Sequence, residues 1–392
     1  MIYIIVLLLL LIPAVRYDFL KKTNGREFWF YLELLVLVLL AGLRYRVGGD
    51  TLEYIDYFDD YPFFSELVHF DFKNAYFNPL WYVYNAILKS IFNDFILFQI
   101  IQSIFVNSVF FWFFRKYTKF YFTAILIYYI GYYLYFNMEI LREVLCVCLF
   151  MISFKYIESK KYLIYVFFGV LSYLIHHSAV VMFFIPFFMK LPKIKWTTTL
   201  ASFLLLTIFL SYFDIVPILI SLFSGNEKLL SKTIAYTSLE SSILNINGVI
   251  AYFLPIILLL YSNTNKVLTE FQIKIEKLLL LYVLLIALSI FIPTMFSRMQ
   301  NYLEPFYIIY LVDTLFSALE DTYKSLKMRS YIIKFAFIFY VFIIYKSYTV
   351  DRSEYMIGKK SYNIYYPYHS IFDPVVETDR EKFVEYFKEG NS

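Results

Sequence analysis

Four arginines stand out because each lies at or near the end of a long apolar stretch. They are Arg44, Arg46, Arg142 and Arg298. An arginine inside an apolar membrane core costs about 2.5–3.5 kcal/mol on insertion scales, so each needs a partner or a task. A guanidinium forms two parallel charge-assisted hydrogen bonds and stays protonated, which suits a phosphate group. The four positions therefore predict phosphate binding.

Two histidines and one aspartate could move a proton. His176 and His177 precede a serine, and an imidazole can exchange a proton near neutral pH. Asp50 follows two glycines, so we expect its carboxylate on a flexible turn. There it could act as a base, orient a sugar hydroxyl or pair with Arg46. The alternative for the histidine pair is a polar turn whose groups are satisfied by their neighbours.

Two glutamates near Arg142 could explain its presence in an apolar run without a role in binding. Glu139 precedes it by three residues and Glu143 follows it directly, so an ion pair could satisfy both charges. Arg44 and Arg46 could likewise reach water from the end of a helix. We assign Glu139, Glu143 and His176 supporting roles.

The composition excludes a soluble enzyme, a disordered protein and a disulfide-stapled module. Of the 392 residues, 61% are hydrophobic and 17% charged, whereas a soluble domain carries about 25% charged residues. The net charge of +4 comes in short basic clusters, typical of membrane orientation rather than of nucleic-acid binding. Cys146 and Cys148 would point to opposite faces of one helix and cannot bridge. No glycine-rich phosphate loop or Cys/His metal motif occurs, so we expect no metal.

Apolar runs long enough to span a bilayer predict an all-α polytopic membrane protein forming a single integral domain over 1–392. A spanning helix needs about 20 mostly apolar residues. Twelve runs fit or nearly fit, and a weaker one lies at 79–92; the twelve are 1–20, 28–43, 95–114, 119–136, 138–157, 162–175, 177–190, 196–213, 249–262, 275–293, 299–316 and 330–347.

The basic clusters predict the orientation. They can all be cytoplasmic only if 79–92 does not span, so we interpret that run as a re-entrant or interfacial helix on the outer side. The extracytoplasmic parts are then 44–94, a second loop at 214–248 and the tail 347–392. In this orientation the four arginines and the two histidines gather at the outer leaflet. The histidines lie at the tip of a short hairpin formed by 162–175 and 177–190. Such a cluster predicts binding of a diphosphate-linked lipid.

Several short motifs together resemble a known family. The segment Leu43–Asp50, with Tyr54 and Phe58 behind it, resembles the first-loop signature of the EpsG-like, Wzy-type polysaccharide polymerases. Further matching pieces follow in the family's order at Ile140–Arg142, Ile175–Ala179, Arg298 with Tyr302, and Tyr366–Phe372. The chain departs from the family pattern at Glu143, where glutamine is frequent, and in having His176 before the matched histidine.

The resemblance implies a metal-independent glycosyltransferase of GT-C-like architecture, with no cofactor. Such enzymes join undecaprenyl-diphosphate-linked repeat units at the outer face of the bacterial inner membrane, building O-antigen, capsule or exopolysaccharide. It implies roles for Arg44, Arg142, His177 and Arg298, and less directly for Asp50. It also implies lipid-linked glycans and the bilayer as partners, with a chain-length regulator and a flippase as further ones.

The roles we predict follow from that reaction. Arg44, Arg46, Arg142 and Arg298 would bind the diphosphate, and His177 or Asp50 would take the proton of the attacking hydroxyl, with Arg142 also catalytic. Three other classes stay open. A glycosyltransferase using a polyprenyl monophosphate would depend on a first-loop carboxylate, an O-antigen ligase would share the arginines and histidine, and a flippase would line a path with charges at several depths.

Overall fold

The computed structural model describes residues 1–191, 270–289, 293–320 and 360–389, together with isolated positions at 205, between 331 and 349, and at 358. Its contacts divide the chain into two compact units. One comprises Met1–Phe183 and Lys346–Gly390, and the other Phe184–Tyr345 and Asn391–Ser392. The described part is helical without a strand, apart from isolated bridges that join Ser370 to Arg44 and to Asp373. This confirms the all-α prediction.

The described residues form fourteen α-helices and one π-helix. In chain order they are α1 Ile2–Pro13, continued as a π-helix over Ala14–Phe19, α2 Arg26–Gly42, α3 Gly49–Asp60, α4 Pro79–Phe92, α5 Phe95–Tyr117, α6 Tyr121–Gly131, α7 Tyr133–Met138, α8 Leu141–Glu158, α9 Tyr162–Ile175, α10 Val181–Lys190, α11 Glu270–Ser289, α12 Pro293–Gln300, α13 Glu304–Glu320 and α14 Thr378–Glu389. Short 3-10 helices cover Phe64–His69, His177–Val180 and Ser361–Ile364.

The helix bounds agree with most of the apolar runs and correct two of them. The run 162–175 matches α9, and 95–114 falls within α5. The run 119–136 is divided at Tyr132 into α6 and α7. The run 299–316 is wrong at its start, because α12 ends at Gln300 and α13 begins at Glu304. The runs 196–213 and 249–262, with the loop 214–248, lie outside the described residues, apart from the single position 205.

Several helices have the apolar character that a bilayer requires. Ile2–Phe19 and Phe95–Tyr117 are long and apolar enough to cross a membrane, and three shorter apolar helices cover Tyr121–Gly131, Tyr162–Ile175 and His177–Lys190. Many of their exposed side chains are apolar, for example that of Leu163, which is 88% exposed. Such a surface would be costly in water, so it fits a membrane protein. The number of spans and the orientation remain predictions.

In the first unit, α5 holds together the two helix ends that carry motif arginines. Its amide side chains Gln99 and Gln102 are buried three residues apart, so they share a face. Gln99 Nε2 donates to the carbonyls of Gly42 and Arg44 at 2.8 and 2.9 Å. Gln102 Nε2 donates to the carbonyl of Leu141 at 2.8 Å. The end of α2 and the start of α8 are thereby fixed to the same helix.

In the second unit, α11 packs against α12 and α13. The hydroxyl of Tyr282 donates to Glu304 Oε1 at 2.7 Å, and its ring stacks on that of Tyr307 with centroids 5.1 Å apart. The carboxylate of Glu304 lies at the beginning of α13, where the helix dipole favours a negative charge.

Candidate active site

The turn after α2 is built around the buried side chain of Arg44, which is 2% exposed. Its Nε donates to the carbonyl of Val47 at 3.3 Å, and its Nη2 to Thr51 Oγ1 at 3.1 Å. Its Nη1 donates to the carbonyl of Ala41. The three donor nitrogens thus contact the end of α2, the turn itself and the start of α3, so Arg44 fixes the course of the chain between the two helices.

The start of α3 fits closely against the turn between α7 and α8. Gly48 has φ +108°, and a Cβ there would lie 2.8 Å from the carbonyl oxygen of Met138. Thr51 Oγ1 donates to the same carbonyl at 2.5 Å. The Glu139 carboxylate accepts hydrogen bonds from the backbone N–H groups of Gly49 and Asp50 at 2.8 and 2.9 Å. Glu139 therefore caps α3 from a distant part of the sequence.

This cap places Asp50 differently from the expectation. Asp50 lies in the first turn of a helix, so the prediction of a flexible turn is wrong. Arg46, which was one of the alternatives for contacting Asp50, pairs with Glu381, with its Nε 2.6 Å from Oε1. Burial, followed by the nearby charge of Asp50, raises the pKa of the Glu139 carboxyl, in the turn before α8, to about 8. The hydrogen bonds from the backbone N–H groups of Gly49 and Asp50 lower the pKa of this carboxyl and so oppose part of the shift.

Arg142 lies in the first turn of α8, as predicted, and the first loop holds its guanidinium. Its Nε donates to the hydroxyl of Tyr54 at 3.1 Å, and its Cζ lies 4.2 Å from the centroid of the Phe77 ring. The Tyr54 hydroxyl and the Phe77 ring together fix the position of the guanidinium. Glu143, on the same turn, is buried.

The two histidines form the tip between α9 and α10, as predicted, but their environments differ. His176 is buried, and its Nδ1 accepts the backbone N–H of Ser178 at 3.3 Å and contacts Ser178 Oγ at 2.7 Å. His177 is exposed, its ring packs edge-on against Tyr173, and its Nδ1 lies 3.3 Å from Asn78 Nδ2. His176 thus organises the tip, and His177 extends from it.

The C-terminal segment closes over the motif turn. Backbone bonds join Tyr45 N to the His369 carbonyl at 2.9 Å and Ile371 N to the Leu43 carbonyl at 3.0 Å. Arg380 is buried, and its Nη1 donates to the carbonyl of Arg46 at 2.7 Å. Burial lowers the pKa of Arg380. The tail motif and the first-loop motif are therefore one local structure, although more than 300 residues separate them.

Arg298 belongs to the second unit and is half-buried in the last turn of α12. The predicted run 299–316 does not continue α12 as one helix, because α12 ends at Gln300 and α13 begins at Glu304. A cation in a last helical turn is favourable to the helix dipole. Its convergence with Arg142 stays a prediction.

Several residues that build the site had weak signals in the sequence. Gln99 and Gln102 are detectable as polar side chains in an apolar helix, which cost free energy unless paired. Phe77 and Asn78 had no signal beyond the Asn–Pro pair that begins α4. Arg380 had none, because its partners are distant in sequence, and Tyr54 was marked by the first-loop motif but not as a partner of Arg142.

The arrangement can bind an anion beside a proton-carrying group. Phe77 contacts Arg142, and its neighbour Asn78 contacts His177, so one two-residue segment links a fixed cation to an imidazole. Asp50 and Tyr54 are four residues apart on α3 and so share a face. Within the described residues, no group of three or more His, Cys, Asp or Glu could hold a metal ion.

The model of the EpsG family matches residues 27–370, most of the chain. The matched region includes the turn after α2, the start of α8, the histidine tip and the segment that contains Tyr366–Phe372 up to Ser370. No curated protein and no solved structure gives a significant match.

Proposed function

Since the chain belongs to the EpsG family, a family of Wzy-like polysaccharide polymerases, we propose that it joins undecaprenyl-diphosphate-linked repeat units into a polysaccharide. The product is O-antigen, capsule or exopolysaccharide, and the reaction takes place at the outer face of the bacterial inner membrane. The observation that carries the proposal is Arg142, held between Tyr54 and Phe77 beside the segment that contacts His177.

The reaction is a glycosyl transfer between two lipid-linked chains. A hydroxyl oxygen of the acceptor sugar forms a bond to the anomeric carbon of the donor, and the bond from that carbon to the diphosphate oxygen breaks. The diphosphate leaves with the electron pair. The hydroxyl proton passes to His177 or Asp50, since both groups can accept one.

The arginines stabilise the charge that develops on the leaving diphosphate. Fixed donors act most strongly in a site poor in water, because no reorganisation is needed at the moment of reaction. Arg142 fills this role, joined by Arg298 and by Arg46. Arg44 acts indirectly, since its donors are engaged with Ala41, Val47 and Thr51 and set the path of the motif turn. Glu139 positions Asp50 by capping α3.

The test is a polysaccharide ladder gel from cells that lack the gene, complemented with wild type, Arg142→Ala or Arg298→Ala. Arg115→Ala is the matched control, because Arg115 is exposed and pairs with Glu27 at 2.8 Å away from the motifs. We expect a single-repeat band in the null strain and in both site variants, with full ladders from wild type and Arg115→Ala.

Other outcomes would contradict the proposal in different ways. Wild-type ladders from Arg142→Ala, with the protein present in the membrane, would remove Arg142 from the site. Lipid-linked material shorter than one repeat in the null strain would indicate a glycosyltransferase that builds the unit. Full polysaccharide that stays on its lipid would indicate a ligase, and complete units stranded on the cytoplasmic side a flippase.

A further inference from the structure

Asn78 occupies a helix-capping position but does not cap its helix. Asparagine before a proline is a favourable start for a helix, and α4 begins at Pro79. The side chain of Asn78 nevertheless makes no cap hydrogen bond, although the residue is buried. It instead reaches the histidine tip between α9 and α10, about 95 residues away in sequence.

Two contacts fix the orientation of the Asn78 amide. Its Nδ2 donates to the carbonyl of Tyr173 at 2.8 Å. A backbone carbonyl only accepts, so the NH2 end of the amide must face it, and the flipped amide would place two acceptor oxygens together. The same Nδ2 lies 3.3 Å from His177 Nδ1. The second hydrogen of the Asn78 amide can therefore be donated to His177 Nδ1.

We propose that Asn78 is a positioning residue that holds His177 in the neutral tautomer with its proton on Nε2. A ring nitrogen that accepts an N–H cannot carry a proton itself, so the proton resides on the other nitrogen. The edge-on packing of the Tyr173 ring, with centroids 5.1 Å apart, limits rotation of the imidazole. His177 then presents a hydrogen-bond donor at Nε2 rather than a lone pair.

The proposed function left the proton acceptor open between His177 and Asp50, and this tautomer assigns each of them a separate role. For its substrate, the inference rests on the proposed function. His177 Nε2–H donates a hydrogen bond to an oxygen of the leaving diphosphate. Asp50 takes the proton of the acceptor hydroxyl. Phe77 under Arg142 and Asn78 beside His177 are adjacent residues, so the cation and the imidazole donor are both contacted by one two-residue segment.

Nitrogen NMR of the full-length protein, with its histidines labelled with 15N and reconstituted in lipid nanodiscs, reads the tautomer directly. The chain has four histidines, and the spectrum of His177→Gln identifies the signals of His177. We expect an unprotonated Nδ1 and a protonated Nε2 at neutral pH. A wild-type spectrum with the proton on Nδ1 overturns the inference, whatever the variants do.

Asn78→Asp changes the tautomer without changing the size of the side chain. A carboxylate at this position accepts a hydrogen bond from a protonated Nδ1, so we expect Nδ1 to become protonated and chain extension to fall by about 10²-fold, the usual contribution of a positioned proton-carrying group. Asn74→Asp is the matched control, because Asn74 is exposed four residues earlier and bonds Asp71 at 2.6 Å. It adds the same charge and should leave both readouts unchanged.

The two proposals fail in distinguishable ways. An Nδ1 that stays unprotonated in a folded Asn78→Asp variant refutes the role of Asn78 while leaving polymerisation untouched. A tautomer that behaves as expected in a protein whose null strain still makes full-length polysaccharide refutes the proposed function alone. If Asn78→Asp does not accumulate, the wild-type spectrum still decides.

Discussion

Two of the motif arginines, Arg44 and Arg142, differ in the groups that hold their side chains. Arg44 is fully engaged with backbone carbonyls and Thr51, and a buried guanidinium that lost these acceptors would be very costly. Arg142 is half-buried against a hydroxyl and an aromatic face. The presence of an arginine at a predicted position therefore does not determine its role. The role depends on the groups that surround the guanidinium.

Replacement of Gly48 by alanine combines two costs, a close contact with the Met138 carbonyl and backbone strain at a positive φ. Comparison with a second glycine distinguishes them. Gly48→Ala introduces a Cβ at φ +108° and 2.8 Å from the Met138 carbonyl, so we expect a lower unfolding temperature and loss of long polysaccharide. Gly358→Ala is the matched control, with φ +76° and nothing within 4 Å of the new Cβ. The control should cost only the backbone strain, about 1–3 kcal/mol. Equal unfolding temperatures for both variants would contradict the close contact.

The helix α3 depends on a cap supplied from outside its own neighbourhood. Its preceding residue, Gly48, has no side chain to cap it, and Glu139 accepts two of its first N–H groups instead. Because Asp50 and Tyr54 lie on this helix, the cap also fixes the carboxylate and the hydroxyl that bonds Arg142. A change at Glu139 should therefore reach the site through the helix.

Glu139→Gln tests the cap. It keeps one acceptor oxygen and loses the other, so we expect a stability loss of about 1 kcal/mol by thermal unfolding, and shorter chains on the ladder gel. Asp94→Asn is the control, since Asp94 caps α5 through the N–H of Ile96 at 2.6 Å and lies away from the motifs. It should lower stability comparably and leave chain length unchanged. Normal chains from Glu139→Gln would show that α3 needs no cap for function.

The same carboxyl predicts a pH dependence of stability. Its pKa is raised in the folded protein, from about 4.5 to about 8, so between these values the folded state binds the proton that the unfolded state has released. Stability should therefore fall as pH rises from about 4.5 to 8. We expect the unfolding temperature of Glu139→Gln to lose this part of the pH dependence. A variant profile parallel to that of wild type would assign the dependence to other groups.

The sequence predicted elements better than it predicted contacts. Hydrophobic length located α5 and α9, and charge at the helix ends located Arg142 and the histidine tip. Helix α3 was missed because its polar, acidic residues follow two glycines, and its cap is 90 residues away. Pairing of Asp50 with Arg46 was one alternative suggested by proximity in sequence, whereas Glu139 contacts the backbone of Asp50 and Glu381 pairs with Arg46, and both approach only in the folded chain.

The two ends of the first unit meet at the motif turn. Tyr3 on α1 donates to the carbonyl of Tyr365 at 2.9 Å, and Gly48 N donates to that of Ile364 at 3.2 Å. Residues far apart in the chain thus share one hydrogen-bonded layer over Arg44. Such contacts form only when both ends are in place, so the turn should be sensitive to changes in the C-terminal segment.

Arg380→Ala tests this dependence from the end opposite the first-loop motif. The side chain donates to the carbonyls of Arg46 and Pro367, and the loss of these bonds leaves two half-buried acceptors without this donor. We expect a loss of about 1–3 kcal/mol in stability for each unsatisfied acceptor and, with it, loss of long polysaccharide. Lys382→Ala, exposed on the same helix, is the matched control and should change neither. Full-length ladders and an unchanged unfolding temperature from Arg380→Ala would show that the motif turn keeps its shape without the tail, and that Arg44 and Gln99 alone suffice to hold it.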